Sequence, residues 1–121
     1  MTALPELTCT WDTPADDVGR IALDGDLVNI NADQVLREVD EALATHPALR
    51  ELRIDCAGLE VCDSRGLSVL LMLRRRAQSL GIAMRIVNRP RTLDRLFSRT
   101  GTAEYLTGED SDADRQDETS S

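Results

Sequence analysis

The chain has 121 residues, of which 41% are apolar and 30% charged, and its formal net charge at pH 7 is -8. This length corresponds to one domain that can bury a core without disulfides or metals, and the negative charge argues against general nucleic-acid binding. No apolar run approaches the roughly 20 residues that a membrane helix requires, and no secretory signal is visible, so we expect a cytoplasmic protein without a membrane segment.

Residues that usually carry catalysis or bind metals are sparse. Cys9, Cys56 and Cys62 form no Cys-x-x-Cys pair, and with His46 as the single histidine they do not indicate a zinc site. We expect small buried or reduced thiols, and His46 as part of a helix end. All 14 basic residues are arginine, which excludes lysine-dependent chemistry. The sequence therefore predicts no enzymatic activity, no metal and no cofactor.

The first half of the chain predicts two strands, a helix and a third strand. Residues 7–12 and 18–25 are expected to pair as a hairpin, the second strand ending in Asp-Gly. Apolar residues at helical spacing then predict an amphipathic helix that begins after Asn31, its candidate N-cap, and ends before Pro47. The segment ELRIDC alternates apolar and polar residues, which predicts a third strand that Gly58 ends.

The second half predicts two more helices around a fourth strand. A helix is expected from about Ser64, its N-cap, to Leu80, followed by a strand at 82–87 and a helix that ends at Gly101. A short fifth strand is considered at 103–106. Alternating strands and helices imply an α/β fold, with a mixed four- to five-stranded sheet and three or four helices packed mainly on one side. Residues 109–121 carry six acids against one arginine, which predicts a disordered acidic tail after a domain at 1–108.

The helix that begins near Ser64 has more apolar residues than one buried face needs. Its predicted inner stripe is Leu67, Leu70, Leu73, Ala77 and Leu80. A more outward stripe is polar at its start, apolar in its middle and basic at its end, and consists of Ser64, Ser68, Leu71 or Met72, and Arg75. Either this stripe is a protein docking surface or the next helix covers its apolar part. Arg74, Arg75 and Arg76 are consecutive, and we expect them to be solvated.

Residues 52–101 resemble the core of a STAS domain, the family of bacterial anti-sigma factor antagonists. The most specific element is Asp-Ser-x-Gly-Leu, which begins at Asp63, preceded by Ile-Asp-x-x-Gly, which begins at Ile54. The resemblance extends from Gly25 to about Leu106 and implies that the domain at 1–108 is a STAS domain. The sequence departs from the family pattern at two positions. Val28 follows Gly-Asp-Leu, where phosphorylated members often have an acid, and Arg65 occupies a position where a small residue is usual.

The resemblance implies a non-catalytic antagonist that binds an anti-sigma factor, itself a serine kinase, and is inactivated when that kinase phosphorylates Ser64. A PP2C-type phosphatase then restores the antagonist. The partner-binding residues expected on this basis are Asp26, Asp63, Ser64, Arg65, Gly66, Ser68, Met72 and Arg75. We expect a monomer or weak homodimer with no direct nucleic-acid or membrane partner. The alternative is a non-phosphorylated STAS subunit of a transport or lipid-trafficking complex, whereas an RNA-binding module is disfavoured by the acidic charge and scarce aromatics.

Overall fold

Four strands form one mixed sheet in the computed structural model, which describes residues 6–106. The strands are β1 (Leu7–Ala15), β2 (Val18–Leu27), β3 (Glu51–Cys62) and β4 (Ala83–Val87), and they lie side by side in chain order. Strand β1 pairs with β2 antiparallel, while β2, β3 and β4 run parallel to one another. The predicted hairpin and largely parallel sheet are therefore confirmed.

Four helices cover one face of the sheet, and the first two of them connect the parallel strands. They are α1 (Ala32–Thr45), α2 (Ser64–Ser79), α3 (Arg91–Thr100) and the short α4 (Ala103–Leu106). In β3 the side chains of Leu52, Ile54 and Cys56 are fully buried and alternate with half-buried polar residues, which is the pattern of a strand covered on one face. The predicted α/β class, with four helices, is confirmed.

The other face of the sheet carries charged side chains. Arg20, Arg53 and Arg85 occupy facing positions on β2, β3 and β4. Glu51 accepts from Arg53 at 2.5 Å and lies 3.8 Å from Arg85, while Asp55 lies 3.8 Å from Arg20. Like charges directly opposite one another repel, and these two carboxylates offset part of the repulsion among the three arginines.

The structure corrects one predicted element boundary and one considered element type. Gly58 does not end β3, which continues to Cys62 through a register shift opposite Asp24. A Cβ at Gly58 would collide with the Asp24 carboxylate, so this glycine permits a close approach within the strand. The segment 103–106 is a helix, because Leu106 donates back to Thr102 and its side chain is fully buried. The acidic tail predicted at 109–121 lies outside the described residues.

Side-chain placement corrects two further expectations on α2. Arg74 is not solvated: only 7% of it is exposed, and it donates to the Met84 carbonyl of the adjacent strand at 3.1 Å. Leu80, placed on the inner stripe, is 55% exposed because the helix ends at Ser79 and Leu80 is its C-cap. His46 is the C-cap of α1, as expected, with its Nδ1 2.9 Å from the Ala42 carbonyl oxygen.

Candidate docking site around Ser64

Ser64 is the first residue of α2 and directly follows the turn at the end of β3. Its side chain is exposed, and within residues 6–106 its hydroxyl makes no hydrogen bond. Only its backbone carbonyl is engaged, since it accepts from the Ser68 hydroxyl at 3.0 Å. The hydroxyl is therefore accessible to another protein and has no structural bond to lose on modification.

The N-cap of α2 is Asp63 rather than Ser64, so that prediction is wrong. Asp63 has an extended backbone, and its Oδ1 accepts from the Gly66 amide at 2.9 Å. Its Oδ2 accepts from the Asn29 amide at 3.0 Å, in the loop between β2 and α1. One carboxylate therefore connects three chain segments and satisfies a free amide of the first helical turn, which leaves the neighbouring serine hydroxyl free.

We expect Asp63→Ala to lower the free energy of unfolding by about 1 to 2 kcal/mol, the usual cost of losing an N-cap. Asp63→Asn keeps one side-chain acceptor and should cost less. Urea denaturation of both variants measures the difference. An alanine variant as stable as the original chain would show that the cap contributes nothing to folding.

Gly66 lies underneath the turn, where α2 comes closest to the end of β2. A Cβ at this position would collide with the Leu27 carbonyl oxygen and come within 3.0 Å of the Cys62 sulfur. Gly66 is buried and cannot contact a partner directly. Its role in the predicted site is therefore indirect: the missing side chain lets the N-terminus of α2 pack closely against the end of β2.

The added methyl group of Gly66→Ala should destabilise the chain by about 1 to 3 kcal/mol, because the helix must move outward to admit it. The control is Ser79→Ala near the exposed end of the same helix, which should change stability by no more than about 0.5 kcal/mol. Thermal unfolding followed by circular dichroism compares the two. Equal melting temperatures would contradict the close approach.

Two further predicted partner residues lie near this turn. Arg65 donates to Asp33 of α1 at 2.7 Å and so joins the first turns of α1 and α2. Asp26 is half-buried and faces Val61 across the pair formed by β2 and β3. The structure thus brings Asp26, Asp63 and Arg65 to the same end of the sheet as Ser64.

The outward stripe of α2 is only partly covered. Leu71 is half-buried and packs against the core, whereas Met72 lies in a shallow depression with Arg75, Arg76 and Ser79. Helix α1 packs beside α2 here, and Arg76 forms an ion pair with Asp40 of α1. The expected alternative, cover by the next helix in the chain, therefore does not apply to Met72.

Sequence reasoning missed two apolar side chains that flank the turn. Ile30 is 64% exposed and follows Asn29, the residue that donates to Asp63. Val61 is 49% exposed and precedes Asp63 by two residues. An isolated large apolar residue in the polar segment NINAD was the available signal for Ile30. Together they place two exposed apolar side chains beside the turn that holds Ser64.

The site offers no evident place for metal or nucleophilic chemistry. Within residues 6–106, no group of three His, Cys, Asp or Glu side chains is arranged to hold a metal ion. Burial, and then the charge of Asp63, raise the pKa of the adjacent Cys62 thiol to about 12, so it stays protonated at neutral pH. None of the helices in the same range has the length and apolar character needed to cross a membrane.

Comparisons with known proteins agree with this architecture. A family model described as Mlab, STAS domain, matches residues 12–108. The unphosphorylated anti-sigma factor antagonist SpoIIAA superposes with a TM-score of 0.68 at 18% identity, over 78% of this chain and 82% of that chain. Its phosphorylated Bacillus form gives 0.64 at 18% identity, over 79% and 86%. An anti-sigma factor antagonist from Mycobacterium paratuberculosis gives 0.68 at 20% identity, over 84% and 83%. No curated protein matches the sequence significantly.

Proposed function

Because the chain belongs to the STAS domain family, we propose that it is an anti-sigma factor antagonist whose binding is switched off by phosphorylation of Ser64. The observation that carries this proposal is the exposed Ser64 hydroxyl at a helix N-terminus, which makes no hydrogen bond within residues 6–106 and belongs to a turn next to the exposed Ile30 and Val61. The protein acts in the cytoplasm by binding alone. Its partners are an anti-sigma factor that is also the serine kinase, and a PP2C-type phosphatase.

The chemistry of the turn supports a switch in binding rather than in fold. A phosphate on Ser64 adds about 1.5 to 2 negative charges beside the Asp63 carboxylate. The amide groups at the start of α2 and its dipole tolerate that charge within the free protein. A partner fitted to a neutral hydroxyl does not, because it must desolvate the phosphate on binding.

The surroundings of Ser64 support a protein as the partner. The exposed Ile30 and Val61 provide apolar contact area, and Ser68, Met72 and Arg75 continue the surface along α2. An apolar centre with a polar rim is the usual arrangement of a protein interface. Arg65 lies at the rim and already has a carboxylate partner in Asp33. It therefore brings a neutral ion pair to the interface rather than a free positive charge.

Purification of the full chain from the cells that produce it tests this function. We expect intact-mass measurement and peptide mapping to find one phosphate on Ser64 in a fraction of the molecules. An anti-sigma factor should copurify only with the unmodified fraction. Absence of phosphate under several growth conditions, together with a copurifying transport ATPase, would overturn the proposal in favour of a constitutive subunit of a transport or lipid-trafficking complex.

A further inference from the structure

Three arginines on the outward side of α3 lack an acidic partner. Arg91, Arg95 and Arg99 are spaced four residues apart, so they form one ridge of the helix, called here the α3 arginine face. All three are exposed, and none forms an ion pair with any residue of 6–106. Six other arginines of that range have carboxylate partners: Arg20, Arg53, Arg65, Arg76, Arg85 and Arg89. The other exposed arginines of residues 6–106 without one, Arg37, Arg50 and Arg75, are spread over different parts of the fold.

The helix compensates only one of these charges, that of Arg99 in its last turn, where the dipole favours a cation. Like charges four residues apart repel one another, and Arg91 begins the helix, where the dipole disfavours a cation. Asp94 is the only acid in α3, and its carboxylate accepts from Arg89 at 2.7 Å. The α3 arginine face is therefore a positive surface on a chain whose net charge is -8.

We propose that the acidic segment 109–121 of the same chain covers the α3 arginine face. This segment carries six acids against Arg115 and starts three residues after Leu106, the last residue of α4. Helix α4 packs against α3, so the described part of the chain ends next to the helix that carries the three arginines. The ten residues of α3 span about 15 Å. A fully extended chain spans at most about 3.3 to 3.6 Å per residue, so the 13 residues of the segment are long enough to reach all three arginines.

The covered surface adjoins the candidate docking site. Leu96 and Arg99 line one side of a cleft of about 200 Å³, and Val61 and Cys62, just before Asp63, line the other. A segment lying on the α3 arginine face would therefore compete with a partner that extends from Ser64 into the cleft. This consequence rests on the proposed function, whereas the contact of the segment with α3 does not.

Backbone amide NMR of the full chain tests the contact. The comparison is with a variant in which the six acids are neutral, E109Q/D110N/D112N/D114N/D117N/E118Q. We expect the chemical-shift differences to concentrate in residues 91–100 at about 10 mM salt, where the Debye length is about 30 Å. They should largely disappear at about 1 M salt, where that length is about 3 Å.

Matched arginine variants assign the surface. In the R91Q/R95Q/R99Q background the acid-neutralising changes should no longer alter the spectrum of α3. The matched background is R37Q/R50Q/R75Q, which also removes three exposed arginines without ion pairs. In this background the acid-neutralising changes should still alter the spectrum of α3. Differences that are absent, or that map elsewhere, would overturn the proposal. Chemical-shift differences that grow with protein concentration would overturn the proposal in favour of the acidic segment of a second copy. If phosphatidylglycerol vesicles change the chemical shifts of α3 and the acid-neutralising changes do not, the α3 arginine face would instead be assigned to membrane binding.

Discussion

Replacing Ser64 with aspartate is expected to weaken binding of the anti-sigma factor at least 100-fold, or about 2.7 kcal/mol. Alanine at the same position should change the affinity by no more than about threefold. The serine hydroxyl makes no hydrogen bond within residues 6–106, so its removal leaves nothing unsatisfied in the free protein. Aspartate instead places a second carboxylate beside Asp63, in a surface that a partner must desolvate. Isothermal titration calorimetry with the purified partner measures both affinities.

The control is Ala48→Asp, which adds the same charge in the exposed turn between α1 and β3. This variant should bind like the original chain, because Ala48 precedes the start of β3, whereas Ser64 follows the opposite end of that strand. An acidic side chain at the first residue of a helix is favourable to the helix dipole, so Ser64→Asp should retain its melting temperature. Equal binding by Ser64→Ala and Ser64→Asp would reject the switch.

The order of strands and helices could be predicted because apolar periodicity is a local property of the sequence. The wrong boundary at Gly58 and the strand considered at 103–106 have non-local causes. Gly58 has the local preference of a strand breaker, yet it continues β3 because Asp24 of the neighbouring strand occupies the space of its missing side chain. The four residues at 103–106 are too few to show the apolar spacing of either a helix or a strand. In the structure they form a helix that buries the Leu106 side chain.

The position of Ser64 could be predicted from the motif, but the identity of the cap could not. Asp63 and Ser64 are both good N-cap residues, and they are adjacent in the sequence. The structure favours Asp63, because its second carboxylate oxygen also meets the Asn29 amide of a loop 34 residues away. Arg74 is a similar case, since three consecutive arginines point in three directions and only the fold determines which of them meets β4.

The exposure of the apolar side chains beside the turn could not be predicted from the sequence either, because it depends on the assembled fold. Val61 belongs to a strand whose alternation would allow either face, and its exposure follows from its place at the end of β3, where the sheet is no longer covered. Ile30 belongs to a loop, for which periodicity predicts no orientation. The motif therefore locates the candidate residue, Ser64, whereas the surface that a partner would contact depends on how the sheet and loops assemble.

The folded state is expected to lose stability between pH 9 and pH 12, because its three thiols stay protonated to higher pH than in the unfolded chain. Burial, followed by the charges of Cys62 and Asp55, raises the pKa of Cys56 to about 12, while nearby Arg89 partly opposes the rise. Burial with Asp63 raises the pKa of Cys62 to about 12, and burial with Glu38 raises that of Cys9 to about 11.

In this pH range the unfolded chain releases thiol protons that the folded chain retains, so the free energy of unfolding falls as pH rises. The loss begins near pH 9, the ordinary thiol value, and is complete once the pH passes about 12. Each pH unit is worth about 1.4 kcal/mol per group, so Cys56 alone should remove about 2 to 3 kcal/mol between pH 9 and pH 11. Few other side chains contribute to the pH dependence of stability in this range, because the chain has no lysine and a single tyrosine.

Urea denaturation at pH 8, 9, 10 and 11 measures this slope, and Cys56→Ala is the matched variant. Alanine leaves a small cavity, so the variant should be less stable than the original chain at pH 8. It carries no thiol at the buried position, so its stability should fall by about 2 kcal/mol less than that of the original chain between pH 9 and pH 11. Parallel pH dependence in the two proteins would show that Cys56 is not what resists ionisation in the folded state, and would move the cause to Cys9 or Cys62.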